Sequence, residues 1–97
     1  MKKTHLNIED IFNIPTAVMY NPYMFKSIYH VSIDSRNIKN NALFIAIKGE
    51  RFNGHDFIEQ VVKNGAAAII INEKYLKKIG DYVIPVITVK DTVVALG

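Results

Sequence analysis

Ala42-Leu43-Phe44-Ile45-Ala46-Ile47 is an unbroken apolar run, bounded by Asn40-Asn41 before it and Lys48-Gly49 after it. A run of strand length between turn formers, without polar alternation, is the pattern of a strand buried on both faces of a parallel sheet. A second run of the same kind, Ala66-Ala67-Ala68-Ile69-Ile70-Ile71, follows. Between them the pairs Phe57/Ile58 and Val61/Val62 recur four residues apart, and Gly65 stands where a C-terminal cap belongs, so the spacing predicts a helix over residues 56–64. Strand, helix, strand implies two adjacent parallel strands joined by a right-handed crossover, with Phe57, Ile58, Val61 and Val62 packed onto them.

Working outward, Tyr29, Val31 and Ile33 alternate with His30 and Ser32, the period of a strand with one buried face, which ends at Asp34-Ser35-Arg36. Asn7 with Asp10 three positions later is a capping pair, and Ile8, Ile11 and Phe12 fall on one helical face before Pro15, so a short first helix is expected. Residues 15–27 hold two prolines and several aromatics without a period and read as irregular. Downstream, residues 73–79 read as a short polar helix stopped by Gly80. Residues 83–89 form a third apolar run, which Pro85 confines to a sheet edge or delays until after the proline. Asp91 caps a further helix whose apolar face would include Val93, Val94 and Leu96; that helix would stop after one turn at Gly97, so the chain is expected to be a fragment. The expected class is α/β: one domain over residues 1–97, a small mostly parallel or mixed sheet with flanking helices.

Composition bounds the function. A chain of 97 residues, 49% hydrophobic and 22% charged, suits one soluble globular core. The absence of cysteine excludes a disulfide framework, thiolate metal sites and cysteine catalysis, and fits a cytoplasmic protein. No apolar run approaches the roughly 18 residues of a membrane span. Met1-Lys2-Lys3 resembles a signal-peptide start, but Glu9 and Asp10 interrupt any apolar region behind it. The net charge of +3 attracts anions mildly. The lysines are scattered, however, and no basic stripe with aromatics marks a nucleic-acid surface. His5, His30 and His55 lack zinc-site spacing, so no metal is expected.

Ligands of open parallel sheets bind beyond the carboxyl ends of strands. Two polar loops lie there: Asp34-Ser35-Arg36-Asn37, and Lys48-Gly49-Glu50-Arg51-Phe52-Asn53-Gly54-His55-Asp56. A hydroxyl, two guanidinium groups, an ammonium, amides and glycine-exposed N–H groups suit an anionic, hydrogen-bond-rich ligand. Each also has a plainer reading: Asp34-Ser35 as a side-chain-bonded turn, Arg36 as a surface charge, Gly49 and Gly54 as turn glycines needing positive φ, His55-Asp56 as a helix start. No G-x-x-x-x-G-K-[ST] loop and no G-x-S-x-G elbow occur, and Ser27, Ser32 and Ser35 show no nucleophile arrangement, so no catalytic residue is assigned.

Taken in order, Val31-Ser32-Ile33-Asp34-Ser35-Arg36, then Ala42-Leu43-Phe44-Ile45-Ala46-Ile47-Lys48-Gly49-Glu50-Arg51-Phe52-Asn53-Gly54-His55-Asp56-Phe57-Ile58, then Asn64-Gly65-Ala66-Ala67-Ala68, resembles the first domain of the bacterial Mur ligases. The likeness runs over about residues 31–96, and residues 48–57 are closer to the MurF kind than to the MurE kind. The resemblance implies a part of an enzyme that joins D-alanyl-D-alanine to UDP-N-acetylmuramoyl-tripeptide in peptidoglycan synthesis, with ATP and Mg2+ acting through an acyl phosphate. In that family the first domain holds the uridine diphosphate end, and the central domain, expected beyond Gly97, carries the ATP loop. This chain alone is then inactive and holds no cofactor. The implied site is Ser35 at the diphosphate or ribose with Arg36 supporting its loop, and Glu50, Arg51 and Asn53 near uracil, within a set completed by Lys48, Gly54 and His55. The family commonly has a glycine before the Leu-Phe strand; Asn40-Asn41 stands there, and Asn tolerates the left-handed backbone such a turn uses. The alternatives are the equivalent MurE domain and a non-catalytic interaction domain of the same fold. The latter has no need of Ser35, Arg36 and Arg51 together at one crevice.

Overall fold

The computed structural model describes residues 7–92. Its elements are α1 (Ile8–Phe12), β1 (Val18–Tyr20), β2 (His30–Ser32), β3 (Ala42–Ile45), α2 (Ile58–Lys63), β4 (Ala68–Asn72) and β5 (Val86–Val89), with 3-10 turns at Pro22–Met24, Ser35–Asn37, Gly54–Phe57 and Glu73–Tyr75. The five strands form one sheet in the order β1-β5-β4-β3-β2. β2 to β5 are parallel to one another and β1 runs antiparallel to β5, so the sheet is mixed.

The central pair is the expected one, with Leu43 opposite Ala68, Phe44 opposite Ile69 and Ile45 opposite Ile70. Every residue of β3 is buried because the sheet has a core on each face. Leu43, Ile45, Ala68, Ile70, Ile87 and Val89 pack with Ile11 and Ile28 on one side. Phe44, Ala46, Ile69, Ile71 and Val86 pack with Ile58, Val61 and Ala66 on the other. Each Val, Leu, Ile or Phe side chain among them contributes roughly 1.5–3 kcal/mol by leaving water. The crossover also behaves as expected: Ile58 and Val61 are buried, and Phe57 and Val62 flank them. Its helix is shorter than 56–64, because the chain enters through the 3-10 turn Gly54–Phe57. Gly65 follows with φ +101°, a conformation that favours glycine, and Asn41 before β3 adopts φ +64° as its side chain permits.

Four expectations need correction. Tyr29, Val31 and Ile33 do not face a core; they are 59%, 51% and 54% exposed. Val31 lies opposite Leu43 and so shares its face. On that face, however, the covering layer of α1 with Ile14, Ala17, Met19 and Phe25 packs on the residues of β3, β4 and β5. β2 is an edge strand, and Ile28, just before it, is the buried residue. Second, residues 15–27 are not wholly irregular. They contain β1, flanked by left-handed Thr16 and Asn21, and the Asn21 amide donates to the carbonyls of Tyr82 (2.8 Å) and Ile84 (3.3 Å). β5 therefore begins after Pro85, as one of the two readings had it, and lies inside the sheet. Third, residues 73–79 are not a polar helix. A 3-10 turn and further turns place Tyr75, Leu76 and Ile79 against the α2-side core. So short a segment does not repay helix nucleation when side-chain packing can hold it in turns. Fourth, α1 has its capping box, Asn7 N–H to Asp10 (2.9 Å) and Asp10 N–H to Asn7 (3.2 Å), but it buries Ile11 and leaves Phe12 exposed. The helix expected from Asp91, with Val93, Val94 and Leu96, lies outside the described residues.

Candidate functional site

Because β2 to β5 are parallel, their carboxyl ends share one edge of the sheet, and the two polar loops leave that edge from the neighbouring strands β2 and β3. The first loop is held by contacts within itself. The Asp34 carboxylate accepts from the Arg36 N–H (2.9 Å) and from its guanidinium (3.1 and 3.4 Å). These bonds hold the Asp34 carboxyl below the usual carboxylate range and raise the Arg36 guanidinium. The Ser32 hydroxyl closes the turn by accepting from Asp34 N–H (3.0 Å). Ser35, 9% exposed, follows at the start of the 3-10 turn.

The second loop is a hairpin with a fixed base. Gly49 N–H donates to the Phe52 carbonyl (2.9 Å) and Gly54 N–H to the Ile47 carbonyl (2.8 Å), while Lys48 bridges Asn53. Gly65 is the only glycine with positive φ among the described residues, so Gly49 and Gly54 are not there for a left-handed turn. Gly54 is selected by crowding: a Cβ would meet Ile47 N at 2.9 Å and Ala46 Cα at 3.2 Å. Beneath the hairpin runs a chain of hydrogen bonds. The Asn53 amide donates to the Tyr75 hydroxyl (2.8 Å), and its carbonyl meets His55 N–H (3.1 Å) and His55 Nδ1 (2.6 Å). His55 Nε2 accepts from Asn72 N–H (3.1 Å), and the Asn72 side chain accepts from Thr92 N–H (2.9 Å). An acceptor facing Nδ1 and a donor facing Nε2 assign the proton to Nδ1 and leave the ring neutral. The buried ring also stacks on Tyr75 at 3.9 Å. Burial pushes the His55 pKa from 6.5 down to about 4, with Asp56 opposing that shift and Lys74 adding to it.

The structure divides the expected residues into two groups. Ser35 and Arg36 line a groove of about 490 Å³ together with Ile33, Asp34, Phe52 and Phe57. Glu50 and Arg51 line an adjoining hollow of about 200 Å³ that shares Ile33 and Phe52. Lys48 stands exposed at the hairpin base. Asn53 and His55 line a different depression, beside Tyr75 and Tyr82. Gly54 is buried. Phe52, 66% exposed and edge-on to Phe57 at 6.1 Å, joins the first two hollows and was missed in the sequence. The signal was a large aromatic residue alone among the charged and polar groups of a loop. Among the described residues no cluster of His, Asp and Glu could hold a metal, and no helix is long and apolar enough to cross a membrane.

Residues 27–96 match the family model described as Mur ligase family, catalytic domain. The chain belongs to the Mur ligase family. Among its curated relatives, the UDP-N-acetylmuramoyl-L-alanyl-D-glutamate--2,6-diaminopimelate ligase 2 of Clostridium acetobutylicum is 43% identical over 67 residues, 69% of this chain and 14% of the relative. The UDP-N-acetylmuramoyl-tripeptide--D-alanyl-D-alanine ligase of Bacillus subtilis is 34% identical over 97 residues, 99% of this chain and 20% of the relative. A crystal structure of MurF from Acinetobacter baumannii superposes with a TM-score of 0.61 at 37% identity, covering 73% of this chain and 15% of that one. The chain thus spans a fifth or less of these Mur ligases, and both the MurE and MurF kinds stand among its relatives.

Proposed function

We propose that this chain is the N-terminal, uridine-nucleotide-binding domain of a MurF-kind ligase of peptidoglycan precursor synthesis, acting in the cytoplasm. It would hold the diphosphate end of UDP-N-acetylmuramoyl-tripeptide while other parts of the enzyme use ATP and Mg2+ to add D-alanyl-D-alanine. The observation that carries this reading is the groove between the two loops. Ser35 and Arg36 of the first loop line it together with Phe52 of the second. A hydroxyl next to a fixed guanidinium suits a phosphate oxygen, and an exposed aromatic face suits a planar base. Glu50 and Arg51 lie next along the same wall, where a base would present polar edges. Asn53, Gly54 and His55 support the wall from behind, and Lys48 adds a positive charge at its foot.

The MurF kind is favoured over the MurE kind by the run of residues 48–57 and by the Bacillus relative, which aligns with 99% of the chain. The higher identity of the Clostridium relative favours MurE. Supplying the full-length enzyme with either D-alanyl-D-alanine or diaminopimelate, each with its own nucleotide precursor, decides between them by which amide forms. For the site, UDP-N-acetylmuramoyl-tripeptide is titrated into wild-type and Ser35→Ala full-length protein. A loss of roughly 10- to 150-fold in affinity with unchanged thermal unfolding is expected for one hydrogen bond to a charged group. Equal affinities would make Ser35 a turn residue only. The 97-residue chain alone is expected to turn over no ATP, and turnover above a mock preparation would refute that.

A further inference from the structure

The sequence placed His55 among the ligand contacts, and the geometry gives it a different task. Its two ring nitrogens face Asn53 and the Asn72 N–H, and its plane lies on Tyr75. The bonds through it and beside it tie together three segments that leave the same sheet edge: the hairpin after β3 through Asn53, the end of β4 and the turn after it through Asn72 and Tyr75, and the segment after β5 through Thr92. The hairpin tip carries Glu50, Arg51 and Phe52, which wall the groove and the adjoining hollow. Apart from the bonds of its own strand stem, the tip is registered against the sheet by Asn53 and His55.

We infer that His55 is a positioning residue: a neutral imidazole bridge between Asn53 and the backbone of Asn72 that sets where Glu50, Arg51 and Phe52 meet the ligand without touching it. This rests on the nucleotide-binding reading. The bridge needs a donor at Nδ1 and an acceptor at Nε2 at once, which only the neutral ring supplies. A cationic ring would turn Nε2 into a donor aimed at the Asn72 N–H, and the link would open. Among the described residues, the charged or titratable groups around it are Asp56 from its own turn and Lys74, Tyr75 and Lys78 from the segment after β4, with Glu59 of α2 and Tyr82 lining the same depression. Tyr75 is itself covered by the ammonium groups of Lys74 and Lys78 at 5.6 and 5.4 Å.

The test uses full-length protein and UDP-N-acetylmuramoyl-tripeptide as the probe. His55→Gln retains an acceptor near the Nε2 position, and His55→Asn retains a donor near Nδ1, so each keeps half of the bridge. Both are expected to raise the substrate KM by roughly tenfold with kcat little changed, as for a lost ground-state contact. Tyr75→Phe, which removes only the hydroxyl that Asn53 bonds, is expected to raise it about threefold, a smaller effect in keeping with one neutral hydrogen bond. Wild-type affinity should fall more steeply than that of His55→Gln as the pH drops from about 5 towards about 4, where the folded ring takes up its proton. Wild-type KM in folded His55 variants, together with a weakened Ser35→Ala, overturns this inference and leaves the nucleotide site standing. No binding by wild type removes both. If the His55 variants do not fold, nitrogen NMR of the wild-type ring decides: a neutral Nδ1–H tautomer at pH 6 supports the bridge, and the other tautomer or a cation overturns it.

Discussion

The two loops at the carboxyl edge of the sheet are built in opposite ways. The Asp34–Arg36 turn is closed by bonds between residues two apart, with an ion pair whose side chains are 85% and 42% exposed. The hairpin of residues 48–54 rests on partners 17 to 22 residues distant: Asn53 bonds Tyr75 directly, and Asn72 is reached through buried His55. A self-contained turn at the surface depends little on the rest of the molecule. A hairpin supported from below transmits any change in its footing to its tip.

The sharpest way to break this contrast is Gly54→Ala. The added Cβ would meet backbone at 2.9 and 3.2 Å on three atoms, none of which can rotate away. A loss of about 2–3 kcal/mol is expected in denaturant unfolding, as for an overpacked core position. A wild-type midpoint would mean that the hairpin base is looser than its packing implies. Next in size is Ser35→Ala, whose effect belongs to affinity rather than to folding, as set out above.

Smaller is the response to acid. The folded-state pKa of His55, about 4, lies below the ordinary 6.5, so the unfolded chain takes up a proton first as the pH falls. The stabilisation is therefore complete above about pH 6.5 and is lost on going down towards pH 4. After allowance for solvent near the ring edge, the loss is on the order of 1–2 kcal/mol. His55→Gln should flatten the unfolding midpoint over that interval, and an unchanged slope would assign the acid response to other groups. The smallest effect is expected for Asp34→Ala. This exposed pair should leave the midpoint unresolved from wild type at moderate salt, since surface ion pairs contribute little. A clear drop would show that the first loop is as dependent on its footing as the second.

The same division governs what could be read in advance. The unbroken apolar runs at 42–47 and 66–71 and the paired residues 57/58 and 61/62 announced two parallel strands and their crossover, because burial on both faces leaves no room for polar alternation. The capping pair Asn7 and Asp10, the glycine at 65 and the left-handed tolerance of Asn41 were equally plain, since each is a local backbone requirement. The two loops were legible as a candidate site because both follow predicted strands. The outward face of β2 was not. Period-2 alternation reports that one face differs from the other, and whether a covering layer reaches that face depends on how far α1 and the segment after it extend across the sheet. β1 was hidden because three residues carry too little pattern, and its pairing with β5 brings together residues 66 to 70 apart in the chain, as with Tyr20 and Val86 or Val18 and Thr88. That His55 is buried and bonded between Asn53 and Asn72 was equally hidden, because a sequence records a titratable group but not its neighbours. By itself the sequence determined the period, the turns and the order of elements, which are set within a few residues of chain. Only the tertiary structure decided which faces are covered and which polar groups are spent inside, because burial and hydrogen-bond partnership are properties of distant segments brought together.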